Sequence, residues 1–360
     1  MEAGAVYGEG MKGKVMDYGT LTEDLESLEH IKLENVTKVI VYILEKDDII
    51  EYVKGPEIID EIIHLDKNQN HVVKEFTIPN FATRTFGHSK KTYMMREING
   101  FKHILPVVKK YGIIGIPYKN NTLIGFEIVM KNKGLLFDRS NSRCFVVNIK
   151  CHQTMSELIV NKFTEQEFIK FVDNILSTLV DIQKLDVAHG DIKLDNIMKC
   201  RDKYELIDWE NNRLLEYKFL IKNRYLGLSP IYFKILYGTA WYPAFKVALL
   251  KYYTETGGYD TAISSEYANN IIEHYKEWFD KYTIEETFEQ VKYSLDLCPL
   301  GMILYGILQR NKNINTLHKE FIMNLYKMKN ASVALKEFRK YNHIRKSKHK
   351  IHKNNKTRKK

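Results

Sequence analysis

Proline is scarce in this chain, with seven in 360 residues, so a proline-rich linker or recognition segment is excluded. Cysteine is scarce too. The four thiols (Cys144, Cys151, Cys200 and Cys298) form no CxxC pair, which argues against a zinc ribbon or a disulfide scaffold and suggests a reduced compartment. Long apolar runs are missing, since the longest, near Pro299 to Leu308, is about half of what a bilayer crossing needs. The start, MEAGAVYGEG, has no charged-then-apolar signal pattern. These absences suggest a soluble, intracellular protein with no membrane partner. What is present is ordinary globular material: 44% hydrophobic and 28% charged residues, enough to bury a sizeable core in one large or two modest domains. The net charge of +10 is local. Residues 336–360 hold 12 Lys and Arg against one Glu, leaving 43 cationic and 44 anionic side chains elsewhere.

No internal repeat is visible, and the only low-complexity segment is HIRKSKHKIHKNNKTRKK at 343–360. The first 130 residues carry short β-branched and aromatic runs, VIVYIL at 39–44, HVVKEF at 71–76 and LIGFEIVM at 123–130, with one helix around Tyr93 to Ile104. After Gly134 the hydrophobic period becomes 3.6. Thr164 and Glu167 make a capping box ahead of a helix whose face carries Phe168, Phe171, Val172, Ile175, Leu179 and Ile182. A β-rich front and an α-rich back predict an α+β chain of two packed lobes, with a ligand between them.

The chemistry concentrates in His189-Gly-Asp-Ile-Lys-Leu-Asp-Asn196 and in Asp208 of LIDWE. Phosphoryl transfer needs a carboxylate to accept a hydroxyl proton and oxygen ligands for Mg²⁺ on the nucleotide phosphates. Asp191 suits the first role, and Asn196 with Asp208 suits the second. Lys193 suits the offsetting of charge at the transferring group. The plain alternative is a polar turn whose Asp and Asn cap local backbone.

This segment resembles the catalytic loop and metal motif of the protein-kinase-like superfamily, and the resemblance runs through most of residues 5–340. It implies a bilobal fold with a small β-rich N-lobe and a larger α-helical C-lobe. The lobes expected are 1–130, with an insertion around 20–70, and 131–340, with an insertion around 245–290. Residues 341–360 would be a disordered basic tail. Gly8, Gly10, Gly13 and Val15 are similar to the glycine-rich loop over the ATP phosphates, and Lys74 and Glu97 look like the phosphate-positioning lysine and its helix partner. Lys46 is the rival lysine. Met130, in IVMKNKGLLFD, resembles the residue that walls the adenine pocket before the interlobe connection. Asp296 looks like the residue that tethers the catalytic-loop backbone, YGTAWYP (237–243) like the end of an activation segment, and NASVALKEF (330–338) like the last helical motif, with Lys329 where an Arg is usual.

Three departures stand out. Gly190 replaces the Arg that gathers a phosphorylated activation loop, Trp209-Glu210 replaces Phe-Gly, and Pro-Ala-Phe (243–245) replaces Ala-Pro-Glu. The resemblance implies an ATP- and Mg²⁺-dependent serine/threonine protein kinase, nearest to divergent enzymes of large DNA viruses. A small-molecule kinase of the aminoglycoside or choline kinase type and a catalytically silent binding protein are the alternatives. The tail is suited to nuclear import or nucleic-acid contact, placing the protein in nucleus or cytoplasm, of a host cell if viral. Deleting residues 341–360 is expected to move a fluorescent fusion out of the nucleus; unchanged distribution counts against targeting by the tail.

Overall fold

The computed structural model describes residues 6–10, 13–17, 20, 21, 25, 35–66, 70–76, 89–131, 142–160, 163–209, 213–218, 229–248, 261–311, 314, 315 and 318–342. The chain is α+β and divides into two units. The division falls between Cys151 and His152, with Asp208 and Trp209 returning to the first unit.

The first unit is built on an antiparallel sheet. Its strands are β1 (Val6–Gly10), β2 (Gly13–Asp17), β3 (Val36–Glu45), β4 (Asp48–Lys54), β5 (His71–Phe76), β6 (Ile116–Tyr118), β7 (Asn121–Met130) and β8 (Ser142–Ile149), in the order β1-β2-β5-β8-β7-β3-β4, with β6 on β7. The β-branched runs of β3 and the aliphatic run of β7 are buried on both faces, as suits interior strands. Gly125 lets β7 approach β8 closely, because a Cβ there would meet the Phe145 carbonyl oxygen at 2.5 Å. One face packs Phe126 and Phe145, stacked with centroids 4.6 Å apart, against the four buried isoleucines of helix α1 (Ile58–Ile63). Helix α2 (Lys90–His103) packs mainly along β8, capped by a reciprocal Ser89 and Thr92 box, and α3 (Leu105–Tyr111) follows.

Within the segment expected as an insertion around 20–70 lie β3, β4 and α1, which extend the sheet. One expectation is corrected here. Met130 does not precede the passage between units. It pairs with Val36 and packs half-buried against the hydrophobic cluster, because the chain returns as β8 between β7 and β5 before leaving the unit at 151 rather than 130.

The second unit is mostly helical. Small sheets join β9 (Gln153–Thr154), β11 (Ile197–Cys200) and β12 (Lys203–Leu206), and separately β10 (Val187–Ala188) and β13 (Arg213–Leu214). Helix α4 (Met155–Val160) precedes α5 (Glu165–Gln183), which starts at the Thr164 and Glu167 box and buries all six apolar positions that its period predicts. Beyond it lie α6 (Pro230–Tyr237), α7 (Thr261–Lys281), α8 (Ile284–Val291), α9 (Leu297–Arg310) and α10 (His318–Asn324). The apolar α9 is a core helix, buried along nearly its whole length, and no single helix among the described residues is long and apolar enough to cross a membrane. The terminal helix, 331–342, is held on α5 by a two-pronged Arg339–Asp173 pair and by Gln183, whose Oε1 accepts from the Ala331 N–H. Glu210 and the tail from 343 onward lie outside the described residues.

Cys144 and Cys298 are buried free thiols, whereas Cys151 and Cys200 are disulfide-bonded.

Glu205 on β12 is 2% exposed, and burial pushes its carboxyl up to about 7, with Lys203 pulling the other way. The unfolded chain gives up this proton near its ordinary value of 4.5, so stability should fall as pH rises from there through about 7. Glu205→Gln removes that loss and is expected to raise Tm at pH 8 by roughly 2–4 °C while changing little at pH 4. Equal shifts at both pH values would contradict the assignment.

Candidate functional site

Each unit gathers its own set of polar residues. In the first, the ladder sets Val15 of β2 and Val146 of β8 either side of Lys74 on β5. The Lys74 ammonium donates to Glu97 Oε2 on α2 at 2.8 Å and to Asp208 Oδ1 at 3.1 Å. Glu97 is buried, and the Phe76 ring lies 5.3 Å from the Lys74 nitrogen. Residues 74, 97 and 208, distant in sequence, thus meet around one cation. Lys46 lies apart from this cluster, in the β3–β4 turn with φ 52°, and β3 pairs with β7 and β4 rather than with β5. Asp208 has φ 64°, a left-handed backbone that costs an L-residue on the order of 1–3 kcal/mol and persists where surrounding contacts fix it.

Gly8, Gly10 and Gly13 lie on the β1–β2 hairpin, with Gly10 opposite Gly13 and Gly8 opposite Val15. This places the glycine-rich segment beside β5 through β2. Met130 lies apart, near the end of β7.

In the second unit the loop after β10 folds over its own side chains. Asp191 Oδ2 accepts from Lys193 Nζ at 3.1 Å and from Asn196 Nδ2 at 3.0 Å, and the same amide nitrogen donates to the Asp191 carbonyl at 2.9 Å. With the nitrogen so engaged, the Asn196 amide oxygen is the atom left for a cation. Its hardness suits Mg²⁺, as does the carboxylate of Asp208, so the residues present fit that ion chemically. Among the described residues no group of three or more His, Cys, Asp or Glu is placed to hold a metal ion.

The loop is pinned from beneath. Asp296 accepts from the His189 N–H at 2.7 Å and the Gly190 N–H at 3.0 Å, the tether that the resemblance implies. Burial pushes the Asp296 carboxyl above its ordinary value, while His189 and those two N–H donors oppose the shift. The His189 ring spans the loop: Nδ1 accepts from the Asp191 N–H, and Nε2 sits 3.1 Å from the Ile207 carbonyl. Gly190 has φ 79°, so glycine here avoids a strain that any side chain would add. Sequence reading overlooked Ser156 on α4, whose hydroxyl donates to Asp195 at 2.6 Å. No local signal marks that contact.

No protein-family model matches the chain, and no curated protein matches it.

Replacing Asp296 by Ala leaves two buried N–H groups without an acceptor, at about 1–3 kcal/mol each. The expected result is a lower denaturation midpoint and faster amide exchange at His189 and Gly190. Unchanged exchange at both amides would show that the loop is held by something else.

Proposed function

We propose that this protein is a phosphotransferase that moves the γ-phosphoryl group of ATP to a protein serine or threonine hydroxyl. The observation that carries the reading is the meeting of Lys74, Glu97 and Asp208. Residues that a phosphate-positioning lysine, its orienting glutamate and a magnesium-binding aspartate require are brought within hydrogen-bonding distance by elements far apart in the chain. Asp191, held by Lys193 and Asn196, supports the same reading.

In this mechanism the N–H groups of the Gly8–Gly13 hairpin cover the phosphates, and Lys74, oriented by Glu97, grips them. Asn196 and Asp208 would hold Mg²⁺, which would supply charge neutralisation at the phosphates. Asp191 orients the acceptor hydroxyl and takes its proton as the new O–P bond forms. The bond from the γ-phosphorus to the bridging oxygen breaks, and ADP leaves with that oxygen. Lys193 offsets the charge that spreads over the transferring group. Gly190 deprives the loop of the cation that a phosphorylated activation segment would pair with, so the site is read as independent of that switch. The compartment is read as intracellular, with protein substrates as partners and the basic tail as the contact for an import receptor or nucleic acid.

Asp191→Asn is expected to keep Mg·ATP binding while lowering turnover at least about 100-fold, the usual range of general-base help. Asp208→Ala should abolish the thermal shift given by Mg·ATP. A variant Asp191→Asn with the wild-type rate removes that residue from the mechanism. Label passed only to a small alcohol would favour the aminoglycoside-type alternative, and binding without any transfer the silent one.

A further inference from the structure

Helix α2 carries Glu97, so whatever fixes its rotation fixes the Lys74 contact. Met94 is fully buried at the centre of its sheet-facing side. With 3.6 residues per turn, Lys91 and Glu97 lie about 60° to opposite sides of Met94. Beneath the helix runs β8, flanked by β5 and β7. Glu97 reaches to one side and meets Lys74 on β5 at 2.8 Å. Lys91 reaches to the other, where its ammonium lies 3.1 Å from Glu127 Oε2 on β7. Register puts Lys74, Val146, Cys144 and Glu127 on the same face of the sheet. The helix is therefore held by two ion pairs of opposite polarity on opposite sides of its axis.

A single pair leaves a helix free to pivot about the contact. Two pairs straddling the axis oppose rotation in either sense, since a turn that lifts Glu97 from β5 also displaces Lys91 from its partner on β7. The choice of residues supports this directional role. Glu127 is only 7% exposed in its side chain while Lys91 is 39% exposed, so the pair is half-buried and the cost of taking the Glu127 charge out of water offsets much of the attraction. What the charges add is a defined partner and direction.

We propose that Lys91 and Glu127 are positioning residues that lock α2 at the rotation where Glu97 engages Lys74, so that this part of the site stays assembled without a partner or a modification. The inference rests on reading Lys74 as the phosphate-positioning residue.

The test uses the full chain. Lys91→Met strands the buried Glu127 charge and is expected to lower Tm. The double variant Lys91→Met/Glu127→Gln removes that stranded charge and should recover most of the Tm. It should nevertheless raise KM for Mg·ATP about tenfold, the weight of one charge-assisted contact, and quicken amide exchange over 90–103. Lys91→Arg, which keeps the charge, should keep the wild-type KM. A double variant with wild-type KM and exchange overturns the lock. Lys74→Met separates the two ideas: if it weakens nucleotide binding while the double variant does not, the lock alone fails. If Lys74→Met also binds Mg·ATP like the wild type, the phosphate reading fails and takes the lock with it.

Discussion

One ammonium group, that of Lys74, organises the candidate chemistry. It is largely buried and pairs with two carboxylates, because a charge taken out of water is costly unless paired. The pairing places demands on three elements at once. Strand β5 must hold its register between β2 and β8, helix α2 must present Glu97 toward the sheet, and the chain must return from the second unit so that Asp208 joins the first. The sheet's interior strands and the left-handed backbone at Asp208 both answer to that requirement.

The second unit solves a different problem, which is to hold a polar loop still. Nearly every polar atom that could wander is engaged: the Asn196 nitrogen with Asp191, the His189 ring between backbone groups, and two loop N–H donors with Asp296. The core helix α9 starts directly after Asp296, so the tether is anchored in the most deeply buried element of the unit. On the proposed function, rigidity of this kind would position Asp191 as the general base.

Sequence made part of this legible. β3, β5 and β7 show as β-branched or aromatic runs, and α5 announces itself through its capping box and 3.6 period. The loop around Asp191 shows because charged and amide side chains are concentrated at short spacing between apolar runs. Other parts stayed hidden for physical reasons. Strand β8, SRCFVVNI, lies where the sequence shows a helical period, and it carries the first unit past Met130 to Cys151. The β3–β4 hairpin turns at Lys46-Asp47, with no Asn-Gly signal to mark it. The Lys91–Glu127 pair depends on register, which a linear pattern does not carry.

The most direct measurement is labelling by an acyl-phosphate derivative of ATP, which transfers its acyl group to an amine held beside the bound phosphates, followed by peptide mass spectrometry. The account predicts acylation concentrated at Lys74, suppressed by excess Mg·ATP and lost in Asp208→Ala. Labelling spread over surface lysines, or indifferent to Mg·ATP, would contradict it.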